Sequence, residues 1–229
     1  MLPLFFISDL KSPQLIGDNA HHANRVLRMK IGEELLVSDG KGGWASCEIT
    51  NLDKHSISLK ANQLGFEPAP QNLVSVVQAL PKSDRAKEAV ELLTASGVAE
   101  IYPWRAERSI GRDSDKWESV AIEASKQCRR FVTPVVHTQI NTNQVITLFS
   151  SFEQVLICHE SAVEKISDVV KPATKTLIVI GPEGGITEDE LVIFRDGGGK
   201  VIKLGRPVLR SAHAGLAAVS AVSALMRVW

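Results

Sequence analysis

The stretch Thr176-Leu177-Ile178-Val179-Ile180-Gly181-Pro182-Glu183-Gly184-Gly185 runs from an apolar segment of strand length straight into a glycine-rich loop. Thr187 and Glu190 follow at the spacing of a capping box, which predicts that a helix begins directly after the loop. Glycines at a strand end permit positive φ and let the backbone approach a ligand closely. In open α/β sheets, ligands bind beyond the carboxyl ends of the strands, where this loop would lie.

The same loop also fits a tight strand-to-helix turn that binds nothing. It lacks the Gly-Lys-Ser/Thr ending of a P-loop, and it is not a GxGxxG dinucleotide fingerprint. The loop alone therefore leaves both interpretations open.

A second loop of the same kind lies near the end of the chain. The predicted strand Val201–Leu204 passes through Gly205-Arg206-Pro207-Val208-Leu209-Arg210 into a predicted helix over Ser211–Val228. Arg206 and Arg210 alone are compatible with a solvated surface. Two glycine-bearing loops that follow strands of one sheet, each leading into a helix, favour a shared binding site.

The C-terminal part, residues 72–229, alternates strands with helices, which predicts a parallel α/β sheet. The final helix is apolar on more than one face, so we expect it to be buried, in part against a second subunit. The other predicted elements are the strands Leu73–Leu80, Val98–Tyr102 and Val155–Cys158, a helix capped at Ser83-Asp84 and ended by Gly97, and the helix Lys116–Cys128.

Residues 1–67 have a different pattern, of short strands separated by turn residues, which predicts a small β-barrel. Glu67-Pro68-Ala69-Pro70 breaks the pattern and marks the domain boundary. The predicted elements are the strands Leu4–Ile7, Glu34–Val37, Trp44–Ile49 and Ser56–Leu59, a hairpin turn over Ser38–Gly43, and a helix around Asn19–Leu27.

Composition excludes some classes of protein but does not identify the function. The 26 basic and 26 acidic residues cancel, so net charge gives no sign of a nucleic-acid partner. Cys47, Cys128 and Cys158 lie far apart, which predicts neither a disulfide framework nor a metal site and suits a reducing cytosol. No run approaches the roughly 20 apolar residues of a membrane span, so a soluble, cytoplasmic protein with no membrane partner is expected.

Taken together, the two loops resemble the cofactor-binding signature of the SPOUT superfamily of S-adenosylmethionine-dependent RNA methyltransferases. Within it the chain is most similar to the RsmE family, which methylates N3 of a uridine in 16S ribosomal RNA of the small subunit. The resemblance spans nearly the whole chain. Further segments that fit the family, in the expected order, are His21-His22, Arg25-Val26-Leu27-Arg28, Lys82-Ser83-Asp84-Arg85, Glu107-Arg108-Ser109, and Gln127-Cys128-Arg129-Arg130 before Pro134.

The resemblance implies an N-terminal PUA-like β-barrel and a C-terminal SPOUT α/β domain tied in a deep trefoil knot. It also implies a homodimer that packs the knot helices, and S-adenosyl-L-methionine as cofactor. The cofactor-binding residues it implies, with Glu160 added from a third candidate loop, are Cys158, Glu160, Ile180, Gly181, Pro182, Glu183, Gly184, Gly185, Leu204, Gly205, Val208, Leu209, Arg210 and Ser211.

The chain departs from the family pattern in two places. Ser211-Ala212-His213 stands where the family usually has Thr followed by a polar or acidic residue. Lys126 precedes the Gln-Cys pair where Glu is usual, and Arg129 replaces a glycine. Cofactor binding through backbone groups is compatible with both changes, whereas a side-chain role at 212 or 213 is open.

For the chemistry, uridine N3 must lose a proton before or during attack, and a cation would stabilise the resulting anion. Arg130, which aligns with the family's arginine, and Arg129 are the candidates, and Glu123 on the same helix could orient Arg130. The alternative is a surface helix with solvated charges. His159 and Glu160 form a loop that suits a ligand contact or a plain surface turn.

A basic face near the N-terminus suits contacts to RNA phosphates, which position the RNA without reading its sequence. His22, Arg25 and Arg28 lie on or near one short helix, and Arg85 is added from the family segment; solvated surface is the alternative. The expected partner is small-subunit ribosomal RNA or its assembly intermediate.

Three other functions remain open. A SPOUT-type enzyme could act on another RNA nucleotide, a nucleotide-cofactor enzyme could act on small molecules, or the chain could be a non-catalytic RNA-binding module. The absence of a Walker or GxGxxG sequence disfavours the small-molecule enzyme, and the intact glycine loops disfavour the non-catalytic module.

Overall fold

Alternation of buried and exposed residues defines the strands of the first part of the chain. The computed structural model describes residues 2–228, apart from the side chains of Ser83 and Asp84, so the cap predicted there lies outside the described residues. The chain divides into two compact units, one formed by Met1–Ala69 with Ser125–Thr133 and the other by Pro70–Ala124 with Pro134–Trp229.

The first unit is a five-stranded sheet in the order β1-β3-β4-β5-β2. In β4, Ala45, Cys47 and Ile49 are buried at every second position, as expected of a strand with one face toward a core. Its strands are β1 (Leu4–Phe6), β2 (Gln14–Ile16), β3 (Glu34–Ser38), β4 (Gly43–Leu52) and β5 (Ser56–Phe66). The first strand runs parallel to β3, and the remaining pairs are antiparallel.

The prediction of a closed barrel is not confirmed. Among the pairings of the described residues, β1 and β2 end the sheet and do not pair with each other. The sequence also missed β2, because a three-residue strand with exposed Gln14 and Ile16 has too little periodicity to detect. The predicted strands Leu4–Ile7, Glu34–Val37, Trp44–Ile49 and Ser56–Leu59 are confirmed, although β4 and β5 are longer than expected.

The hairpin turn predicted over Ser38–Gly43 is confirmed. Asp39 Oδ1 accepts hydrogen bonds from the backbone N–H groups of Lys41 (2.7 Å) and Gly43 (3.0 Å). Gly40 and Gly42 have φ of +74° and +104°, which is the conformation that made glycine informative in the sequence.

The predicted helix Asn19–Leu27 forms as two consecutive segments. An α-helical turn, α1 (Gly17–His21), begins at Gly17 with φ +56° and continues as a π-helical turn over His22–Val26. Ala20 and Ala23 are buried, whereas His22 and Arg25 are exposed.

Residues Ser125–Thr133 belong to the first unit although the chain reaches them late. Ser38 Oγ donates to the carbonyl of Phe131 (3.0 Å), and Gly42 N–H donates to the same carbonyl (3.1 Å). The Phe131 ring stacks on Trp44 with centroids 5.4 Å apart. No local sequence pattern predicts this long-range pairing.

The second unit is a seven-stranded sheet whose pairs are all parallel, so the predicted parallel α/β sheet is confirmed. The strand order is β12-β10-β11-β6-β7-β8, and β9 also pairs with β7. The elements are β6 (Leu73–Ala79), α2 (Ser83–Ala95), β7 (Glu100–Arg105), α3 (Trp117–Cys128), β8 (Val135–Val136), β9 (Ile140–Asn141), α4 (Thr142–Phe149), β10 (Gln154–Cys158), α5 (Ile166–Val169), β11 (Lys175–Ile180), α6 (Glu188–Asp196), β12 (Lys200–Ile202) and α7 (Ser211–Leu225).

Helices cover both faces of this sheet, which is why its central strands are continuous apolar runs. Alternate residues of β11 enter two separate cores: Ile178 packs with residues of α2 and α7, whereas Val179 packs with residues of α4 and α6. Gly97, which was predicted to end α2, has φ +90° in the turn after the helix.

The final helix α7 is buried as predicted, because it packs against α2, β6 and β11. Gly215 permits this close packing, since a Cβ at that position would lie 2.8 Å from Leu93 Cδ2. Within residues 2–228 no helix is both long enough and apolar enough to cross a bilayer.

Leu93→Ala tests the packing of α2 on α7. Leu93 is fully buried, and removing its side-chain atoms leaves a cavity that lowers the free energy of unfolding by about 2–5 kcal/mol. Chemical denaturation measures the loss. Val163→Ala is the control, because Val163 is 93% exposed and its truncation should change stability by less than about 0.5 kcal/mol. Equal losses in the two variants would contradict the assigned packing.

Candidate active site

Three loops meet at the carboxyl edge of the parallel sheet. They follow β10, β11 and β12, and β10 is hydrogen-bonded to both of the others. With the start of α7 they line two adjoining cavities of about 410 Å³ and 80 Å³. The larger cavity lies within the range of about 300–1,000 Å³ that is common for small-molecule sites.

All of the residues predicted to bind cofactor line one or both cavities, so the structure brings together segments far apart in sequence. Sequence reasoning missed further lining residues on the same loops. The predicted residues are Cys158, Glu160, Ile180, Gly181, Pro182, Glu183, Gly184, Gly185, Leu204, Gly205, Val208, Leu209, Arg210 and Ser211, and the missed ones are Ile186, Lys203, Pro207 and Ala214. His159, the other candidate of the loop after β10, also lines both cavities.

The loop after β11 requires glycine at two positions. A Cβ at Gly181 would lie 2.7 Å from Ile186 Cγ1, and Gly185 has φ +76°. The predicted capping box is confirmed: Thr187 Oγ1 accepts from the Glu190 N–H (3.3 Å), and the Thr187 N–H donates to Glu190 Oε2 (3.1 Å). The loop therefore has a fixed backbone between β11 and α6.

A buried chain of hydrogen bonds joins this loop to β6 and α7. Ser211 Oγ, in the first residue of α7, donates to the Gly181 carbonyl (2.7 Å) and accepts from Gln78 Nε2 (2.9 Å). Gln78 is fully buried near the end of β6. These hydrogen bonds join α7, the start of the loop and β6, and so they fix the position at which the loop begins.

Two further contacts hold the outer part of the loop. Arg108 Nη1 donates to the Gly184 carbonyl (3.0 Å), and Glu183 Oε1 accepts from the Lys82 N–H (3.2 Å). Behind the loop, Thr187 Oγ1 donates to Glu107 Oε2 (3.0 Å), and the Glu107 N–H donates to Glu190 Oε1 (2.9 Å). The Glu107-Arg108-Ser109 segment therefore supports the cavity wall.

The cavity walls combine apolar side chains with a few polar ones. Ile180, Val208, Leu209 and Ala214 supply the apolar part. Burial raises the pKa of the Cys158 thiol to about 12, so it is neutral at physiological pH and behaves as part of that wall.

The polar side of the cavity contains a short cluster after β10. His159 Nδ1 lies 2.8 Å from Ser161 Oγ, and His159 Nε2 lies 3.8 Å from Glu160 Oε2. Among the described residues, no group of three or more His, Cys, Asp or Glu side chains is arranged to hold a metal ion.

The predicted catalytic residues lie on α3 and on the segment that follows it. Arg129 and Arg130 belong to the first unit, and Glu123 is exposed on the part of α3 that belongs to the second unit. Burial lowers the pKa of the Arg130 guanidinium, which nevertheless stays charged at neutral pH. Arg129 Nη2 donates to the Leu2 carbonyl (3.0 Å).

Arg129 has φ +57°, in the left-handed region that favours glycine. This conformation gives a physical reason for the family's usual glycine at that position. Arginine in place of glycine at this position therefore costs some backbone strain.

The predicted RNA contacts fall in two places. His22, Arg25 and Arg28 are exposed on the first unit, and Arg28 has φ +54°. Arg85, on the first turn of α2, instead lines the larger cavity beside the Gly181–Gly185 loop.

Known protein families match both parts of the chain. Residues 67–223 match a family model described as an RNA methyltransferase domain, and residues 15–61 match one described as an RNA methyltransferase PUA domain. The fold and the site thus define a two-domain RNA methyltransferase.

The relatives narrow the class to one family. Ribosomal RNA small subunit methyltransferase E of Mycobacterium bovis is 33% identical over 99% of this chain and 93% of its own length. The Bacillus subtilis protein of that name is 27% identical over 95% of this chain and 91% of its own. The chain belongs to the ribosomal RNA small subunit methyltransferase E family.

A solved structure supports the same assignment. The structure of ribosomal RNA small subunit methyltransferase E from Neisseria gonorrhoeae bound to S-adenosyl methionine has a TM-score of 0.90. It is 26% identical and covers 98% of each chain.

Ser211→Ala tests the hydrogen-bonded chain under the loop. It removes the donor to the Gly181 carbonyl and one of two acceptors of Gln78 Nε2, which keeps the Ala79 carbonyl (3.1 Å). The free energy of unfolding should fall by about 1–3 kcal/mol. Thermal and chemical denaturation measure the change. Ser220→Ala on the same helix is the matched control, because its hydroxyl donates only to the Leu216 carbonyl of that helix (2.8 Å). A loss no larger than that of the control would argue against the assigned bridge.

Proposed function

We propose that this chain methylates N3 of a uridine in 16S ribosomal RNA of the small subunit, with S-adenosyl-L-methionine as methyl donor. Membership of the family establishes the class of enzyme, a ribosomal RNA methyltransferase. The observation that carries the proposal is the meeting of the loops after β10, β11 and β12 around one cavity.

The cavity fits the proposed cofactor in shape and chemistry. Apolar side chains on one side suit an adenine ring, and the backbone of the glycine loop offers N–H and C=O groups for its polar edges. A Cβ at Gly185 would have only Glu160 Oε1 within 4 Å, at 3.8 Å, so a ligand can approach the backbone there, whereas Gly184 packs against Arg108. We assign the fourteen residues predicted from the sequence to this role.

The bound cofactor supplies a methyl group on a positively charged sulfur that leaves as a neutral thioether. The chain must therefore hold the target base in line with that methyl group and exclude competing geometries. The loops after β10, β11 and β12 are anchored on strands, which gives the required rigidity.

The base also has to lose its N3 proton, and the negative charge then spreads onto the two flanking carbonyl oxygens. We assign Arg130 to the stabilisation of that anion, with Arg129 as an additional cation and Glu123 as an orienting group. A guanidinium suits this role because it stays charged and can donate a hydrogen bond to one of those oxygens while N3 stays free to attack the methyl group.

RNA docking is assigned to the first domain, residues 1–67, and methyl transfer to the second, residues 72–229. His22, Arg25 and Arg28 are exposed cations or potential cations that suit phosphate contacts. Arg85 is proposed as an RNA contact from the second domain. Docking by shape suits a folded ribosomal RNA or an assembly intermediate of the small subunit.

We further propose the deep trefoil knot and the homodimer of the family. The Lys203 N–H donates to the Glu164 carbonyl (2.8 Å), and the Ile166 N–H donates to the Lys203 carbonyl (3.1 Å), so the chain after β12 runs against the segment after β10. Knots are rare in proteins, and local sequence rules do not predict them. Leu225 at the end of α7 is 43% exposed and suits a subunit interface.

The three cysteines are free, which suits the reducing cytoplasm that we propose as the location. A methyltransferase acting on another RNA nucleotide and a non-catalytic RNA-binding module are the alternatives. Calorimetry with S-adenosylmethionine distinguishes the proposed enzyme from a non-catalytic module, because a module without a cofactor site would release no heat of binding.

Loss of the gene should remove one N3-methylated uridine from 16S ribosomal RNA, because the chain is proposed to make it. Mass spectrometry of nuclease fragments from deleted and complemented cells measures the modification. A modification that survives deletion, or loss of a different methylated base, would contradict the proposal.

Arg130→Ala should slow methyl transfer by about 10²–10³-fold at saturating cofactor, as expected when a donor to a developing anion is lost. Its calorimetric affinity for S-adenosylmethionine should be unchanged. Arg112→Ala, which removes an exposed cation of the second unit, is the control and should retain the wild-type rate. Full activity of the Arg130 variant would show that its assigned role is wrong.

A further inference from the structure

The larger cavity has few side chains that can carry charge. On its acidic side, Glu183 accepts a hydrogen bond from the Lys82 N–H, and Glu160 lies beside His159. On its basic side are Arg210, which is exposed just before α7, and Arg85, which is half-buried.

Glu183 and Glu160 each contact a neighbouring group, whereas the Arg85 guanidinium has no hydrogen bond or ion pair with any described side chain. The side chains of Ser83 and Asp84 are outside the described part of the chain, and Arg85 itself is half-buried against the cavity. A guanidinium that lines a cavity and has no described protein partner is available to pair with a ligand group that brings negative charge.

The backbone that carries Arg85 is held in place on two sides. The Arg85 N–H donates to the Lys82 carbonyl (2.8 Å), and the Lys82 N–H donates to Glu183 of the glycine loop (3.2 Å). Farther along α2, Glu88 Oε1 lies 3.1 Å from His213 Nε2 of α7. The Arg85 side chain therefore extends from a fixed helix turn beside the loop proposed to hold the cofactor.

We propose that Arg85 is a second catalytic cation, beside Arg130, that binds one carbonyl oxygen of the target uracil and helps to stabilise the base as its N3 anion. This inference rests on the proposed function and changes the role of Arg85 from a phosphate contact to a contact with the reacting base. Its position on the cavity wall gives it direct access to whatever base enters beside the cofactor site.

The reaction balances with Arg85 as a charge stabiliser that takes no proton. The N3–H proton passes to solvent, and the N3 electron pair forms the new bond to the methyl carbon. The bond from that carbon to sulfur breaks, and sulfur keeps its electron pair. The base anion and the sulfonium cation thus become two neutral products, and Arg85 keeps its charge throughout.

Several other titratable or charged groups face the same space. They come from each element around it: His159 and Glu160 after β10, Glu183 after β11, Lys203 after β12, and Arg210 before α7. All of them are unchanged in an Arg85 variant, so a difference in pH dependence between the variant and the wild-type protein reports on Arg85.

Single-turnover methyl transfer on 16S ribosomal RNA, measured against pH, tests the proposal. In the wild-type protein the rate rises with pH to a plateau as the bound base loses its proton. Arg85→Ala should move the midpoint of this rise to higher pH and slow the reaction at neutral pH by about a hundredfold, with partial recovery in alkali. The midpoint and the rate of Arg85→Lys should lie between those of Arg85→Ala and those of the wild-type protein.

Control measurements distinguish a role of Arg85 in catalysis from a role in binding the cofactor or the RNA. Lys87→Ala removes an exposed cation of the same helix and should match the wild-type profile. Calorimetric affinity for S-adenosylmethionine and filter-binding affinity for the RNA should be unchanged in Arg85→Ala. A variant defective only in cofactor affinity or only in RNA affinity, with the wild-type midpoint, would overturn the proposal.

The wild-type product tests the proposed function separately. N3 methylation with an unchanged midpoint in Arg85→Ala overturns the role of Arg85 alone. Methylation of an atom with no acidic proton would overturn both, because no base anion would then need a cation.

Discussion

The hydrogen bond from Ser211 to the Gly181 carbonyl joins the two ends of the site. Ser211 begins α7 and Gly181 ends β11, so this contact sets the last helix against the loop that the cavity depends on. Gln78, buried at the end of β6, donates to the same hydroxyl and ties in the central strand. Because the three groups come from residues 78, 181 and 211, this contact forms only when β6, β11 and α7 have come together.

The sequence predicted the parts of the fold that follow from local rules. Apolar runs identified the strands of the parallel sheet, Thr187 and Glu190 identified the start of α6, and glycines at 40 and 42 identified the hairpin. The helix α4 was missed although Asn141 and Gln144 form a capping box that was readable in the sequence. The strands β8 and β9 have two residues each, which is too short for any periodicity.

Site residues could be predicted from the sequence where the local backbone requires a particular residue type. Gly185 stands where φ is positive, and Gly181 where a Cβ would meet Ile186, so both were visible as glycines in a loop. Arg85 was not assigned to the cavity and Gln78 was not assigned to its support, because both roles depend on elements that meet only in three dimensions. At position 129 the sequence showed arginine in place of glycine. Only the structure showed that the residue has positive φ.

Ser125–Thr133 belongs to the first compact unit although the chain has already built three elements of the second, β6, α2 and β7. The polypeptide therefore leaves the first unit, returns to it and leaves again. A gene fragment cut at residue 70 would encode a sheet without Phe131, the ring that stacks on Trp44. The first unit therefore cannot be inherited or exchanged as a single continuous segment, because recombination near residue 70 would separate residues that belong to one compact unit.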